Sequence, residues 1–310
     1  MRIIFMGNPE FAVPSLEQIS NSNHQILYVV SNPPKKIGRG KMISETAVGI
    51  SAKAMGMPVL QPPKLNNINF LRYISSMQPD IFVVVAYKIL PRKLLSIPRF
   101  GAINLHPSLL PKYRGAAPIQ WSLINGDKET AVTTISLSKK IDSGSILMQE
   151  KDIINDDDNY GTLSERLSKN GADLVVKTLD GIEAGNINGI VQDESKVTLA
   201  PKIKSEDFKI DWSQSAKDIH NQIRAFSPYP GAFTVFNGKR LKILMTSIIY
   251  DRKDDNNIGK IVKLSKLMLS VQTGRGQLNI LEVQSEGKKR MKIDDFLRGA
   301  SVSLDTQFGE

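Results

Sequence analysis

Three polar side chains have the types and spacing that acyl-transfer chemistry needs: Asn104, His106 and Asp142. Asn104 and His106 are two residues apart at the end of an apolar segment, so on a strand both side chains point to the same face. An amide can donate a hydrogen bond to the oxyanion that forms when an amine attacks a carbonyl carbon. An imidazole can donate or shuttle a proton, and a carboxylate can accept one or orient the imidazole. These residue types therefore fit acyl transfer to an amine without a covalent enzyme intermediate.

The same residues also fit a purely structural role. His106 could be a hydrogen-bonded residue at a strand end, and Asp142 could cap the turn before Gly144. His24 and His220 are isolated along the chain, which is typical of surface or capping positions. Three histidines and no cysteine give no metal-ligand spacing, so we expect no bound metal. The spacing alone leaves the catalytic and the structural interpretations open.

Asn104 and His106 come at the end of one of several apolar segments that are typical of β-strands. These segments are Ile3–Met6, Gln25–Val30, Ile81–Ala86, Ala102–Leu105 and Val132–Leu137. Ligands of open α/β sheets bind beyond the carboxyl ends of the strands. Because Asp142 follows the last of these segments, we expect the three polar side chains to meet at that edge.

Helical segments alternate with these strands. One is predicted at Ser15–Ile19, and a longer one from Thr162, where Glu165 would complete a capping box, to about Gly185. Strands that alternate with helices indicate an open α/β sheet over the first 185 residues.

The last third of the chain has a different pattern. Residues 186–206 are polar and without a clear period, which indicates a linker, and one helical segment, Ser215–Phe226, follows. Short strand-like segments then succeed one another at Ala232–Phe236, Leu241–Leu244, Ile258–Leu264, Met268–Val271 and Gln277–Val283. Such a series predicts a small β-barrel or sandwich over residues 207–310.

Two loops bear on whether the sheet binds a nucleotide. The first turn, Gly7-Asn8-Pro9-Glu10, has only the first glycine of the dinucleotide fingerprint, so a nicotinamide site is not expected. The segment Gly38-Arg39-Gly40-Lys41 is basic but lacks the spacing of a P-loop. It could be a solvated loop or an arm that contacts phosphate.

The distribution of charge favours a polyanionic partner. The formal net charge is +10, and it is uneven: residues 1–115 carry 14 basic and 4 acidic side chains, residues 116–206 carry 10 and 15, and residues 207–310 carry 17 and 12. Basic surfaces attract polyanions, although solvated lysines alone would give the same counts. No apolar stretch approaches the roughly 20 residues of a membrane span. The absence of cysteine fits a cytoplasmic enzyme.

Longer phrases of the sequence carry a family resemblance. They are Arg2–Pro14, Gly38–Lys41, Pro58–Pro62, Asn104–Gln120, Asp142–Gly144, Ala200–Ile203, Asp211-Trp212, Ile223–Phe226 and Pro228–Thr234. Through nearly the whole chain they resemble the methionyl-tRNA formyltransferase family, within the wider folate-dependent formyltransferases. The phrase from Asn104 to Pro111 marks the wider group, and the loop Gly38–Lys41 and the second-domain phrases mark the narrower family.

The resemblance implies a Rossmann-like catalytic domain at residues 1–185, a linker at 186–206 and an OB-like, tRNA-binding domain at 207–310. It implies that Asn104, His106 and Asp142 transfer the formyl group of 10-formyltetrahydrofolate to the amino group of methionyl initiator tRNA for translation initiation. No metal, membrane contact or obligatory protein partner is implied.

The resemblance also implies contacts to both substrates. Folate is expected beside Val85, Ala86, Tyr87, Lys88, Ile89 and Leu90, and beside Ser108, Leu109, Leu110 and Pro111. Arg39 and Lys41 are expected to contact the acceptor arm of tRNA. The chain departs from the family pattern at Asn8, where Thr is usual, and at Lys88, where Gly is usual.

Two other functions use the same features. Formyltransferases that act on purine precursors or amino sugars share Asn104, His106 and Asp142. The purine enzymes lack the second domain, and the sugar enzymes typically lack the phrase Gly38–Lys41. An RNA-binding protein with a degenerate α/β domain is a non-enzymatic alternative, and the intact trio argues against it.

Overall fold

The computed structural model of the chain describes residues 1–37, 42–138, 140–249, 257–304 and 306–309. The chain divides into two compact units. Unit 1 comprises Met1–Gly115, Glu129–Ile153 and Ser164–Ala200, and unit 2 comprises Ala116–Lys128, Ile154–Leu163 and Pro201–Glu310. Each unit is assembled from separate stretches of chain, whereas the domain limits expected from the sequence are continuous and stay a prediction.

Unit 1 is built on a seven-stranded sheet. The described strands of unit 1, seven in this sheet and four in two short ribbons, are β1 (Arg2–Gly7), β2 (Gln25–Val30), β3 (Lys35–Ile37), β4 (Met42–Ser44), β5 (Val59–Leu60), β6 (Ile81–Val85), β7 (Ala102–His106), β8 (Arg114–Gly115), β9 (Glu129–Ser136), β10 (Ile146–Ile153) and β11 (Leu199–Ala200). The sheet order is β10-β9-β7-β6-β1-β2-β5, and the five strands from β7 to β5 run parallel. Short ribbons pair β3 with β4 and β8 with β11.

Helices alternate with the strands, as the sequence pattern predicts. They are α1 (Val13–Ser20), α2 (Ala47–Ala54), α3 (Ile68–Ser76), α4 (Arg92–Leu95), α5 (Pro118–Ile124), α6 (Tyr160–Glu183), α7 (Ala216–Phe226) and α8 (Ile293–Gly299). Helix α3 shows why they bind the sheet: Leu71 and Ile74, three residues apart on one face, pack with Phe82 and Val84 of β6 in one buried cluster. Within the described residues, no helix is both long and apolar enough to cross a membrane.

Unit 2 contains an antiparallel sheet. Its strands are β12 (Ala232–Phe236), β13 (Lys239–Ile249), β14 (Ile261–Leu264), β15 (Leu269–Gln272), β16 (Gln277–Ser285) and β17 (Met291–Lys292). The order is β12-β13-β16-β15-β14, with β17 beside β16. Helix α7 buries Ile219, Ile223 and Phe226, because these residues recur at helical spacing along one face. The predicted fold class, an α/β sheet followed by a small β domain, is confirmed.

Strand β9 runs in the direction opposite to the one we expected. The expectation was that β9, which precedes Asp142, ends at the same end of the sheet as β7. Strand β9 is antiparallel to β7, with Ile103 opposite Ser136 and His106 opposite Thr133. The carboxyl ends of β7 and β9 therefore point in opposite directions, and His106 lies at the carboxyl end of β7. Asp142 reaches His106 through the turn after β9, and the sequence pattern could not distinguish this arrangement from a parallel one.

The start of α6 also differs from the prediction. The Asn159 side chain accepts hydrogen bonds from the backbone N–H groups of Gly161 at 2.8 Å and Thr162 at 3.2 Å. The Thr162 hydroxyl in turn accepts from the Asn159 N–H at 3.0 Å. The predicted capping box of Thr162 with Glu165 is therefore wrong, because Asn159 is the capping residue and Thr162 is its reciprocal partner.

Candidate active site

The candidate site is built around the carboxyl end of β7. Strand β7 lies between β6 and β9 and carries Asn104 and His106 on one face. His106 is only 4% exposed, and Asn104 is half-buried. Within the described part of the chain the Asn104 amide makes no hydrogen bond, so its N–H groups are available to a substrate oxygen.

His106 is held by its backbone neighbours in one orientation. Its Nε2 lies 2.9 Å from the carbonyl oxygen of Tyr113. A carbonyl only accepts, so Nε2 carries the proton and donates it. The other ring nitrogen, Nδ1, lies 3.6 Å from Oδ2 of Asp142. Nδ1 is therefore the nitrogen that can exchange a proton, and it faces a carboxylate.

Asp142 is aimed at His106 by an unusual backbone conformation. Its φ is +50°, in the left-handed region, which costs a residue with a side chain about 1 to 2 kcal/mol. Its Oδ2 accepts a hydrogen bond from the Gly115 N–H at 2.9 Å. The carboxylate is thus fixed between a backbone donor and the imidazole.

Two glycines permit this close packing. At Gly115, φ is +131°, and a Cβ would lie 2.5 Å from the carbonyl oxygen of Ala200 on the paired strand β11. At Gly144, a Cβ would lie 1.6 Å from the carbonyl oxygen of Ser136. No larger residue fits at either position without moving the backbone that holds Asp142.

Three polar side chains, of which Ser108 and Thr133 are buried, hold the loop after His106 in place. Ser108 is fully buried, and its hydroxyl donates to the Lys112 carbonyl at 2.7 Å. Thr133 donates to the Ser108 carbonyl at 2.6 Å, and Gln149 donates to the Leu110 carbonyl at 3.1 Å. Of the predicted folate contacts here, Ser108 and Leu110 have buried side chains, whereas Leu109 and Pro111 are half-buried and lie nearer the surface.

The second predicted folate segment follows β6. Val85 is buried in the strand, Ala86 takes a left-handed φ of +48°, and Lys88 and Ile89 are exposed. Burial raises the pKa of Tyr87 to about 12. The Tyr87 hydroxyl is buried and has no hydrogen-bond partner among the described residues.

Lys88 and Leu90 complete that segment. Leu90 is 7% exposed and packs in the apolar cluster of unit 1. Lys88 is not one of the described residues with a left-handed backbone conformation. Its backbone therefore accepts a side chain at a position where the family usually has glycine. Asn8, the other departure, accepts from the Ser31 hydroxyl at 3.2 Å and the Asn32 N–H at 2.9 Å, and so ties the ends of β1 and β2 together.

Sequence reasoning missed two contacts of Arg114, which lies beside this site. Gln192 and Glu194 lie in the stretch interpreted as a linker, yet both contact Arg114 in unit 1. Hydrogen bonding to Arg114 lowers the pKa of Glu194. No spacing pattern marks either residue, because both meet Arg114 only through the tertiary fold. The predicted tRNA contacts, Arg39 and Lys41, lie outside the described residues.

Comparisons with known proteins place the chain among formyltransferases. A family model described as formyl transferase matches residues 1–179, and one described as formyl transferase, C-terminal domain, matches residues 202–301. The methionyl-tRNA formyltransferase of Thermodesulfovibrio yellowstonii is 44% identical over 302 residues, 97% of this chain and 96% of the relative. That of Syntrophus aciditrophicus is 42% identical over 308 residues, 99% of this chain and 98% of the relative.

A solved structure shares the fold. The N-formyltransferase of Helicobacter canadensis, in complex with folinic acid and dTDP-3-aminofucose, has a TM-score of 0.68 and 19% identity, and the match covers 91% of this chain and 98% of that one.

Proposed function

The chain belongs to the formyl transferase family, and from that premise we propose that it transfers the formyl group of 10-formyltetrahydrofolate to the amino group of methionyl initiator tRNA. The observation that carries the proposal is the similarity of nearly the whole chain to methionyl-tRNA formyltransferases, at 44% identity in one relative. The reaction belongs in the cytoplasm, where translation starts. The chemistry at Asn104, His106 and Asp142 supports it.

The proposed mechanism uses each of these side chains once. The methionyl amine attacks the formyl carbon, a C–N bond forms, and the formyl oxygen becomes an oxyanion. The amide of Asn104, which has no partner among the described residues, donates a hydrogen bond to that oxygen. The amine loses a proton, which the carboxylate of Asp142 and Nδ1 of His106 hold between them. The bond from the formyl carbon to the folate nitrogen then breaks, and that nitrogen gains the proton.

The formyl donor is a folate derivative, and we place its binding at the two loops beside His106. These loops are Val85–Leu90 and Ser108–Pro111. The Helicobacter canadensis enzyme of similar fold was solved with folinic acid, which supports a folate donor. The Tyr87 hydroxyl, which has no partner among the described residues, lies in the first of these loops.

We propose unit 2 as a platform for the tRNA. The Arg240 guanidinium lies 3.9 Å above the Phe233 ring, and Nζ of Lys242 lies 5.7 Å from the centroid of the Tyr229 ring, which is 77% exposed. Arg240 and Lys242 line a groove of about 570 Å³. Cations bind phosphates, and aromatic rings and guanidinium planes stack on unpaired bases.

Arg39 and Lys41 are proposed as contacts to the acceptor arm. Their charges, and the glycines on either side of Arg39, support this role. Such contacts hold phosphate and carry little sequence information, so discrimination of initiator tRNA rests on the shape of its unpaired end.

The proposal is tested by the acceptor that receives the formyl group. Purified protein is incubated with labelled 10-formyltetrahydrofolate and, in parallel, with methionyl initiator tRNA, methionyl elongator tRNA and a dTDP-amino sugar. Label should appear on the initiator tRNA and much less on the other two. Preferential labelling of the amino sugar would assign the chain to the sugar-modifying branch of the family, and no labelling would contradict transferase activity.

A further inference from the structure

A buried amide connects the catalytic carboxylate to the strand that supports it. Gln192 is 5% exposed. Its Nε2 donates to the carbonyl oxygens of Asp142 and Gly144, both at 2.8 Å. Its Oε1 accepts from Arg114, from Nε at 3.0 Å and from Nη2 at 2.8 Å. Both N–H groups and both lone pairs of the amide are therefore used.

The partners fix the orientation of this amide. A flipped amide would place its NH₂ group against the guanidinium donors of Arg114 and its oxygen against two carbonyls. Either contact would leave buried polar atoms unpaired, which is strongly unfavourable. The amide of Gln192 therefore has one stable orientation, in which it holds the turn from Asp142 to Gly144.

These contacts form a closed ring of hydrogen bonds that includes Asp142. Gln192 binds the backbone of Asp142 on one side and the side chain of Arg114 on the other. The residue after Arg114 is Gly115, whose N–H donates to the Asp142 carboxylate at 2.9 Å. The same amide thus sets both the left-handed backbone of Asp142 and the strand that aims its carboxylate.

Resting on the proposed function, we infer that Gln192 is a positioning residue for formyl transfer. It touches neither substrate and acts through Asp142. Its loss leaves the left-handed turn at Asp142 without its carbonyl anchors, so the turn relaxes and the distance of 3.6 Å between Asp142 Oδ2 and His106 Nδ1 is no longer maintained. A displacement of about 1 Å at a reacting group can cost about 100-fold in rate.

Glu194 lies on the outer side of the ring. It accepts from Nη2 of Arg114 at 2.9 Å, but its side chain is 71% exposed. Solvent screens an exposed ion pair, so we expect Glu194→Gln to change the transfer rate little. The rate should therefore depend on the buried amide of Gln192 and not on the neighbouring charge of Glu194.

The test is a double-mutant comparison of single-turnover rates. Gln192→Glu keeps the size of the side chain and the acceptor for Arg114, but it cannot donate to the carbonyls of Asp142 and Gly144. In the wild-type background it should slow transfer about 10- to 100-fold, with the KM for tRNA within about twofold. In an Asp142→Asn background the same change should slow transfer less than about threefold further, because the two residues act as a unit.

A matched control separates positioning from general stability. Thr178 is also fully buried in unit 1 and bonds the Thr134 hydroxyl at 2.8 Å, away from this turn. Thr178→Val should lower the melting temperature and leave the transfer rate of folded protein unchanged. Arg114→Lys, which keeps the charge but removes the two-pronged contact, is the second variant if Gln192→Glu does not fold, and it should show the same dependence on Asp142.

Two outcomes would overturn the inference. One is a rate loss of equal size in the wild-type and Asp142→Asn backgrounds, and the other is a wild-type rate for folded Gln192→Glu. Each transfer rate is compared with that of its own parent protein, the wild type or Asp142→Asn. Failure of the proposed function is different, because it would be seen as a wild-type protein that does not formylate methionyl initiator tRNA.

Discussion

We propose that Asn104 stabilises the oxyanion, because its amide is half-buried on β7 and has no hydrogen-bond partner in the described part of the chain. Removal of a single oxyanion donor costs about 100- to 1,000-fold in turnover. We therefore expect Asn104→Ala to lower kcat by this amount, with the KM values for both substrates changed little. Steady-state kinetics check this, and a mainly raised KM would assign Asn104 to ground-state binding instead.

His220 in unit 2 should make stability depend on pH. Burial, and then the charge of Arg224, lower the pKa of His220 to about 4 from 6.5. The unfolded chain binds the proton more readily, so this stability is present above pH 6.5 and is lost as pH falls towards 4. The loss between pH 7 and pH 5 should be about 2 kcal/mol.

His220→Gln is the matched variant, because an amide can still bond the Thr246 hydroxyl, which lies 2.8 Å from Nδ1 of His220. Urea unfolding at both pH values should give a smaller drop in the free energy of unfolding for His220→Gln than for the wild type. Equal drops would show that other groups account for the pH dependence.

At the scale of elements, the strands and helices of unit 1 were predictable wherever a single local sequence pattern determines the element. The continuous apolar run at 81–85 gave β6, and Asn104 and His106 fell on one face of β7. The direction of β9 was not predictable, because its apolar residues fit a parallel or an antiparallel neighbour equally well. The cap of α6 was assigned one turn too late for a related reason, since Asn159 and Thr162 both have capping side chains.

Contacts between segments that are distant along the chain could not be predicted from the sequence either. Gln192 is 50 residues from Asp142 along the chain, and only the folded sheet brings them together. Within the polar stretch 186–206, a buried glutamine has the same sequence appearance as a solvated one.

The ribbon of β8 and β11 should be sensitive to a single added methyl group. Gly115→Ala would place Cβ 2.5 Å from the Ala200 carbonyl oxygen, whereas Gly185→Ala, at φ +70°, would meet nothing within 4 Å. We expect Gly115→Ala to cost about 2 kcal/mol or more, and Gly185→Ala about 1 kcal/mol. Only Gly115→Ala should also slow formyl transfer, because its N–H holds Asp142. Urea unfolding and turnover at low temperature check both effects, and equal behaviour of the two variants would contradict this account.

At the scale of the whole molecule, the charge of unit 2 should appear in the salt dependence of tRNA binding. Each phosphate contact adds about 0.7 to 0.9 to the slope of log affinity against log salt. Replacing both Arg240 and Lys242 with Ala should therefore reduce that slope by about 1 to 2 and weaken binding of most RNAs alike. The control replaces Lys169 and Lys177, whose charges are paired with Glu165 and Glu150. An unchanged slope in the Arg240 and Lys242 variant would exclude this groove as the platform.

We propose that His106 and Asp142 move the proton while formyl passes to methionyl initiator tRNA. The single-turnover rate of formyl transfer, measured at saturating donor and tRNA for the wild type, Asp142→Asn and His106→Gln, tests this role. Asp193→Asn, an exposed carboxylate replaced in the same way, is the control. We expect the wild type and the control to be fast, and both site variants to lose about 100-fold or more. If the site variants transfer formyl within about threefold of the wild-type rate, His106 and Asp142 do not move the proton, since general acid–base catalysis alone is worth more than that.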